Sequence, residues 1–96
     1  MDTTKPLELT IWKYPIFLKE EQTITIPEYH RVLSFHEMPN GLFCIWALVA
    51  SDSKQVEKKI YIRGTGAKCG DEINYASFVG TIVASSGFVW HLFAEY

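Results

Sequence analysis

Hydrophobic and polar positions alternate with a two-residue period along much of this 96-residue chain. Gln22-Thr23-Ile24-Thr25-Ile26 is the cleanest case. Ile24 and Ile26 fall on one side and Thr23 and Thr25 on the other, as in a strand with one wet face. Leu9-Thr10-Ile11-Trp12-Lys13-Tyr14 reads the same way. Pro15 lacks a backbone donor, so that strand ends there or lies on a sheet edge, and Pro27 stops the second strand.

Near the C-terminus two β-branched and aromatic runs, residues 78–84 and 88–93, flank Ser85-Ser86-Gly87, which predicts a β-hairpin. Residues 32–38 and 42–50 repeat the arrangement around Pro39-Asn40-Gly41, a turn sequence. The 42–50 run is apolar on both sides, so it is expected to be a central strand covered on both faces. Trp46→Ala should then cost roughly 3–5 kcal/mol.

Residues 51–58 are polar and read as a long loop, followed by a short strand at Lys59-Ile60-Tyr61-Ile62-Arg63. Gly64-Thr65-Gly66-Ala67-Lys68-Cys69-Gly70 carries too much glycine for regular structure, and Asp71-Glu72-Ile73-Asn74 suits one helical turn. Residues 1–8 read as a flexible lead-in. The expected fold is all-β: one domain over residues 1–96, a small antiparallel sandwich or partly closed barrel of about seven strands.

A composition that is 48% hydrophobic and 15% aromatic supplies enough apolar surface for a core in so short a chain. It also leaves material for an exposed apolar patch, which favours a homodimer, a higher oligomer or a protein partner. The formal charge of −2 argues against duplex nucleic acid, which selects a concentrated basic face. Lys54, Lys58, Lys59, Arg63 and Lys68 do gather in one segment, but Asp52, Glu57, Asp71 and Glu72 dilute them. The N-terminal residues hold no apolar signal core and no run is long enough to span a bilayer, so a cytoplasmic protein with no membrane partner is expected. Cys44, inside Phe43-Cys44-Ile45-Trp46, reads as a buried inert thiol, and Cys69 as a more exposed one; both are expected to be reduced.

Chemistry-bearing residues are sparse. His30, His36 and His91 are scattered without metal-ligand spacing, so no metal is expected. No nucleophile motif surrounds Cys69, and Asp71 and Glu72 are neighbours in sequence rather than a facing pair, so no catalytic residue and no cofactor is expected. The glycine loop is the main candidate. Its backbone N–H groups could converge on an anion, with Arg63 and Lys68 adding charge. It lacks the Gly-Lys-Ser/Thr of a phosphate-binding loop and the third glycine of a dinucleotide fingerprint. The candidate ligand-or-partner residues are therefore Arg63, Gly64, Thr65, Gly66 and Lys68, with Tyr61 and Trp90 as aromatic contacts.

Ile11-Trp12-Lys13-Tyr14, then Cys44-Ile45-Trp46-Ala47-Leu48-Val49, Gly64-Thr65-Gly66, Phe78-Val79-Gly80-Thr81 and finally Val89-Trp90-His91-Leu92-Phe93 form an ordered series. In this the chain resembles small phage- and prophage-encoded proteins with an opening IWKY, a central IWALV, a GTG and a closing VWH(V/L)F run. The resemblance spans nearly the whole chain. In similar proteins His often follows the GTG; Ala67 stands there in this chain, which weakens a metal or acid–base role for the loop. The resemblance implies a phage accessory protein acting in the host bacterial cytoplasm. The expected function is non-enzymatic: inhibition of a host or anti-phage-defence protein by direct binding. The alternatives are sequestration of a nucleotide second messenger in a pocket, or a structural part of the virion or its assembly.

Overall fold

A computed structural model describes residues 8–96 of the chain, so most of the expected lead-in lies outside the described residues. Seven strands follow: β1 (Leu9–Ile16), β2 (Glu21–Pro27), β3 (His30–Glu37), β4 (Phe43–Ala50), β5 (Gln55–Gly64), β6 (Ala76–Val83) and β7 (Val89–Glu95). One 3-10 turn, Asp71–Tyr75, stands where a helical turn was expected. Among the described residues, no helix is long and apolar enough to cross a membrane.

The strands form two antiparallel sheets, ordered β1-β4-β3 and β2-β5-β7-β6, stacked as a sandwich. The expected choice between sandwich and partly closed barrel is thereby resolved, because β1, β3, β2 and β6 remain edges. Both predicted hairpins form. In the second, the Ala84 N–H donates to the Phe88 carbonyl (2.8 Å), and Gly87 supplies the positive φ of the turn. β1 runs past Pro15 to Ile16 and pairs only with β4, so the missing proline donor costs no ladder bond on its open side.

Ile16, Phe35, Ile45, Ile60, Ile62, Leu92 and Ala94 fill the space between the sheets, continued by Ile26, Ala47 and Val49. These residues recur at two-residue spacing because only alternate side chains of a strand face the opposite sheet.

Two expectations are corrected. Residues 51–58 are not a long loop: β5 begins at Gln55 and pairs from Gln55 to Tyr61 with β2. Its polar outward residues hid the strand, since Gln55, Glu57 and Lys59 alternate with inward Val56 and Lys58. β4 is central in its sheet, but its outward face is covered only in part. Ile45, Ala47 and Val49 are fully buried on the inner face; on the outer face Cys44 and Ala50 are buried while Trp46 and Leu48 between them are half-buried.

β3 and β6, edges of opposite sheets, pack across from one another. Each carries a register irregularity, between Val32 and Ser34 in β3 and between Phe78 and Gly80 in β6. Such bulges bend a strand and re-aim its side chains.

Candidate functional site

The glycine loop is held by Arg63, at the end of β5. The Arg63 side chain is only 6% exposed. Its Nε donates to the Cys69 carbonyl at 3.2 Å, and Nη2 to that carbonyl at 3.0 Å and to Glu72 Oε1 at 2.6 Å. Nη1 donates to the carbonyls of Ile62 (3.1 Å) and Glu20. A guanidinium has five N–H donors, so none is left for a ligand. Arg63, expected to receive an anion, is instead the clasp joining β5, the residue 17–20 connection and the loop. Its charge is met by Glu72.

Glu72 reaches Arg63 by passing over Gly70. The residue's φ of +76° favours glycine, and a Cβ there would lie 2.6 Å from Glu72 Oε2, so a larger residue would also push the carboxylate off its place beside Arg63. Gly64 lies under Trp90: a Cβ there would sit 3.3 Å from the indole. Arg63, Gly64 and Trp90 thus meet in the wall of one cavity of about 200 Å³, together with Leu18, Lys19 and Glu20. The other expected contacts do not join them. Tyr61 is 5% exposed on the outward face of β5, with its ring 5.8 Å from the Arg63 guanidinium carbon. Gly66 and Lys68 are exposed in the loop. Thr65 shares a 2.8 Å hydrogen bond with Nε2 of His91, while Thr81 shares another of 2.8 Å with Nδ1. His91 therefore faces away from Trp90, as side-chain alternation along β7 dictates, with both ring nitrogens engaged.

The two thiols are free, Cys44 buried and Cys69 exposed. Burial pushes the Cys44 thiol above its ordinary pKa, which keeps it protonated and unreactive. Among the described residues, no group of three or more His, Cys, Asp or Glu is placed to hold a metal ion.

Register reveals a surface that one-dimensional reading missed. On the outward face of β1-β4-β3, Ile11 stands opposite Leu48, Leu9 opposite Ala50, and Lys13 opposite Trp46. Leu33, the extra residue of the β3 bulge, joins them. Leu9, Ile11 and Leu33 are 57%, 56% and 40% exposed. A cavity opens at each end of this face. One, of about 390 Å³, is lined by Lys13, Pro15, Met38, Leu42, Phe43 and Cys44. The other, of about 260 Å³, is lined by Leu9, Tyr29, His30, Arg31 and Leu48. The alternation of Leu9 and Ile11 and the apolar run at 42–50 were visible in the sequence, but their union required the β1–β4 pairing.

The chain matches the family described as a domain of unknown function, DUF7352, over residues 8–96. It belongs to that family. The match covers every strand of both sheets, so this DUF7352 domain comprises the entire sandwich. No curated protein and no solved structure matches the chain significantly.

Proposed function

We propose that this DUF7352 protein acts by binding rather than by catalysis, and that it occupies a protein target through the outward face of β1-β4-β3. The observation that carries the reading is the apolar row of Leu9, Ile11, Leu33, Trp46 and Leu48, with a cavity at either end. Such a row offers apolar area at its centre, and the terminal cavities offer sockets for a partner's anchoring side chains. Several groups that could do chemistry are committed elsewhere: Arg63 to five carbonyl and carboxylate contacts, His91 to two threonines, and Cys44 is a buried thiol. The phage setting, and with it a host or defence protein as the target in the bacterial cytoplasm, rests on the resemblance of the ordered motifs to phage-encoded proteins.

The test compares wild type with an Ile11→Asp/Leu33→Asp double variant, both used to capture partners from phage-infected bacteria. Wild type is expected to hold one stoichiometric host protein, reproduced with the purified partner, and the double variant to release it at unchanged thermal stability. Equal capture by both proteins, or a wild type whose face is covered only by a second copy in sedimentation, would overturn the reading.

A further inference from the structure

β1, β2, β3 and β6 are sheet edges, and an open edge offers its unpaired N–H and C=O groups to any strand that reaches it. Charges and prolines on an edge oppose such pairing. β1 carries Lys13 and Pro15, β2 carries Glu21 and Pro27, and β3 carries Arg31 and Glu37 with two histidines. β6 reads Ala-Ser-Phe-Val-Gly-Thr-Ile-Val and holds neither charge nor proline. Its register irregularity at Val79 interrupts the edge once, and residues 80–83 run on regularly beyond it.

β6 pairs with β7 on one side only. Among the described residues, no backbone group of residues 77–83 bonds to anything outside that ladder. Phe78, Thr81 and Val83 stand opposite Phe93, His91 and Val89 of β7, on the face turned away from Leu92 and the core. Phe78 is 59% exposed and Val83 72%. The edge is therefore open, neutral and flanked by uncovered apolar side chains.

The charges beside it come from β3, which packs across from β6. Arg31 lies next to Ser77 and Phe78 at the start of β6. It is exposed, and no carboxylate of the described residues is within ion-pairing distance of it. Glu37 lies at the other end, bonded to Ser85 just past Val83. Glu95 shares the Arg31 end but reaches the opposite way, across β7, to accept the Lys59 N–H at 2.8 Å. The edge thus runs from a cation to an anion.

We propose that two copies of this chain join edge to edge through antiparallel pairing of β6 about a two-fold axis, turning two four-stranded sheets into one of eight strands. Antiparallel pairing sets the start of one β6 against the end of the other, so Arg31 of each copy comes toward Glu37 of the other. Parallel pairing sets like charges together. A foreign strand must bring both an unguarded edge and the matching order of charge, whereas a second copy supplies both by symmetry. Growth stops at two, because the far edge of the same sheet is β2, guarded by Glu21 and Pro27. The contact leaves the outward face of β1-β4-β3 open in both copies and does not depend on what that face binds.

The test is sedimentation velocity and amide hydrogen exchange of the full-length protein from about 1 to 500 μM, the range in which a contact at the small end of specific interfaces dissociates. A monomer–dimer equilibrium is expected, with protection of the β6 amides rising as dimer forms and that of the β1, β2 and β3 amides unchanged. Val83→Lys is expected to weaken the dimer roughly tenfold or more, by placing two cations across the pairing in place of two apolar side chains. Val83→Glu should weaken it likewise, and an equimolar mixture of the two variants should recover a dimer. Phe78→Lys gives a second reading should Val83→Lys fail to fold. The Ile11→Asp/Leu33→Asp protein should dimerise as wild type does. A wild type that stays monomeric at about 500 μM, a dimer undiminished in the Val83 and Phe78 variants, a mixture that stays dissociated, or a dimer lost in Ile11→Asp/Leu33→Asp would overturn the proposal. Capture of a host partner is read in a different experiment, so the two readings stand or fall separately.

Discussion

Glu37, the last residue of β3, grips Ser85 in the turn between β6 and β7 with both carboxylate oxygens. Oε1 accepts the Ser85 backbone N–H at 2.6 Å and Oε2 accepts its hydroxyl at 2.6 Å. The two residues are 48 positions apart and belong to opposite sheets, so this pair bolts the sandwich together at one end.

The bolt predicts an acid-sensitive stability. The hydrogen bonds from the Ser85 hydroxyl and then its N–H hold the Glu37 carboxyl below its ordinary pKa. The unfolded chain therefore takes up this proton at higher pH than the folded one. The contribution is complete above the unfolded value and disappears as pH falls through the folded value. Melting temperature measured against pH should fall less steeply in the acid limb for Glu37→Gln than for wild type. Identical acid limbs would show that the pair contributes no proton linkage.

The Arg63 clasp predicts a coupled loss of stability and loop order. Replacing Arg63 by Ala leaves the Cys69 and Glu20 carbonyls without their donors and Glu72 without its counter-charge, at a cost of about 3 kcal/mol. Arg63→Lys should recover little, because an ammonium cannot span the fork of three carbonyls and a carboxylate. The rate at which the Cys69 thiol reacts with a disulfide reagent reports the loop directly and should rise in both variants. Urea unfolding and thiol kinetics that match wild type would contradict the clasp.

Trp46 provides a check on which side of β4 is covered. Its indole stands on the outward face, half-exposed, with its ring 6.1 Å from that of His36. Trp46→Ala is accordingly expected to cost about 1–2 kcal/mol, below the roughly 3–5 kcal/mol of a fully enclosed tryptophan. Denaturant unfolding distinguishes the two figures. The same substitution should weaken capture of the partner, because it removes the aromatic centre of the proposed contact face.

Period-two alternation, proline stops and glycine turns are local properties, and they placed β1, β2, both hairpins and the 3-10 turn in the sequence alone. Strand β5 was half hidden, since Gln55, Glu57 and Lys59 face water and local composition there is that of a loop. The candidate site was legible in part. Arg63, Gly64 and Trp90 do meet around one cavity, and His91 does face away from Trp90. What Arg63 does there was not legible, because its partners Glu20 and Glu72 come from separate connections.

The sequence by itself determined that the chain is an antiparallel β protein with an apolar interior, since side-chain alternation and turn chemistry act over a few residues. Only the tertiary structure decided which faces stay open and which charges are spent. Both depend on register between strands distant in the chain: β1 against β4 assembles the apolar face, β2 against β5 turns Lys58 inward, and the approach of β3 to β6 sets Arg31 and Glu37 at opposite ends of one open edge.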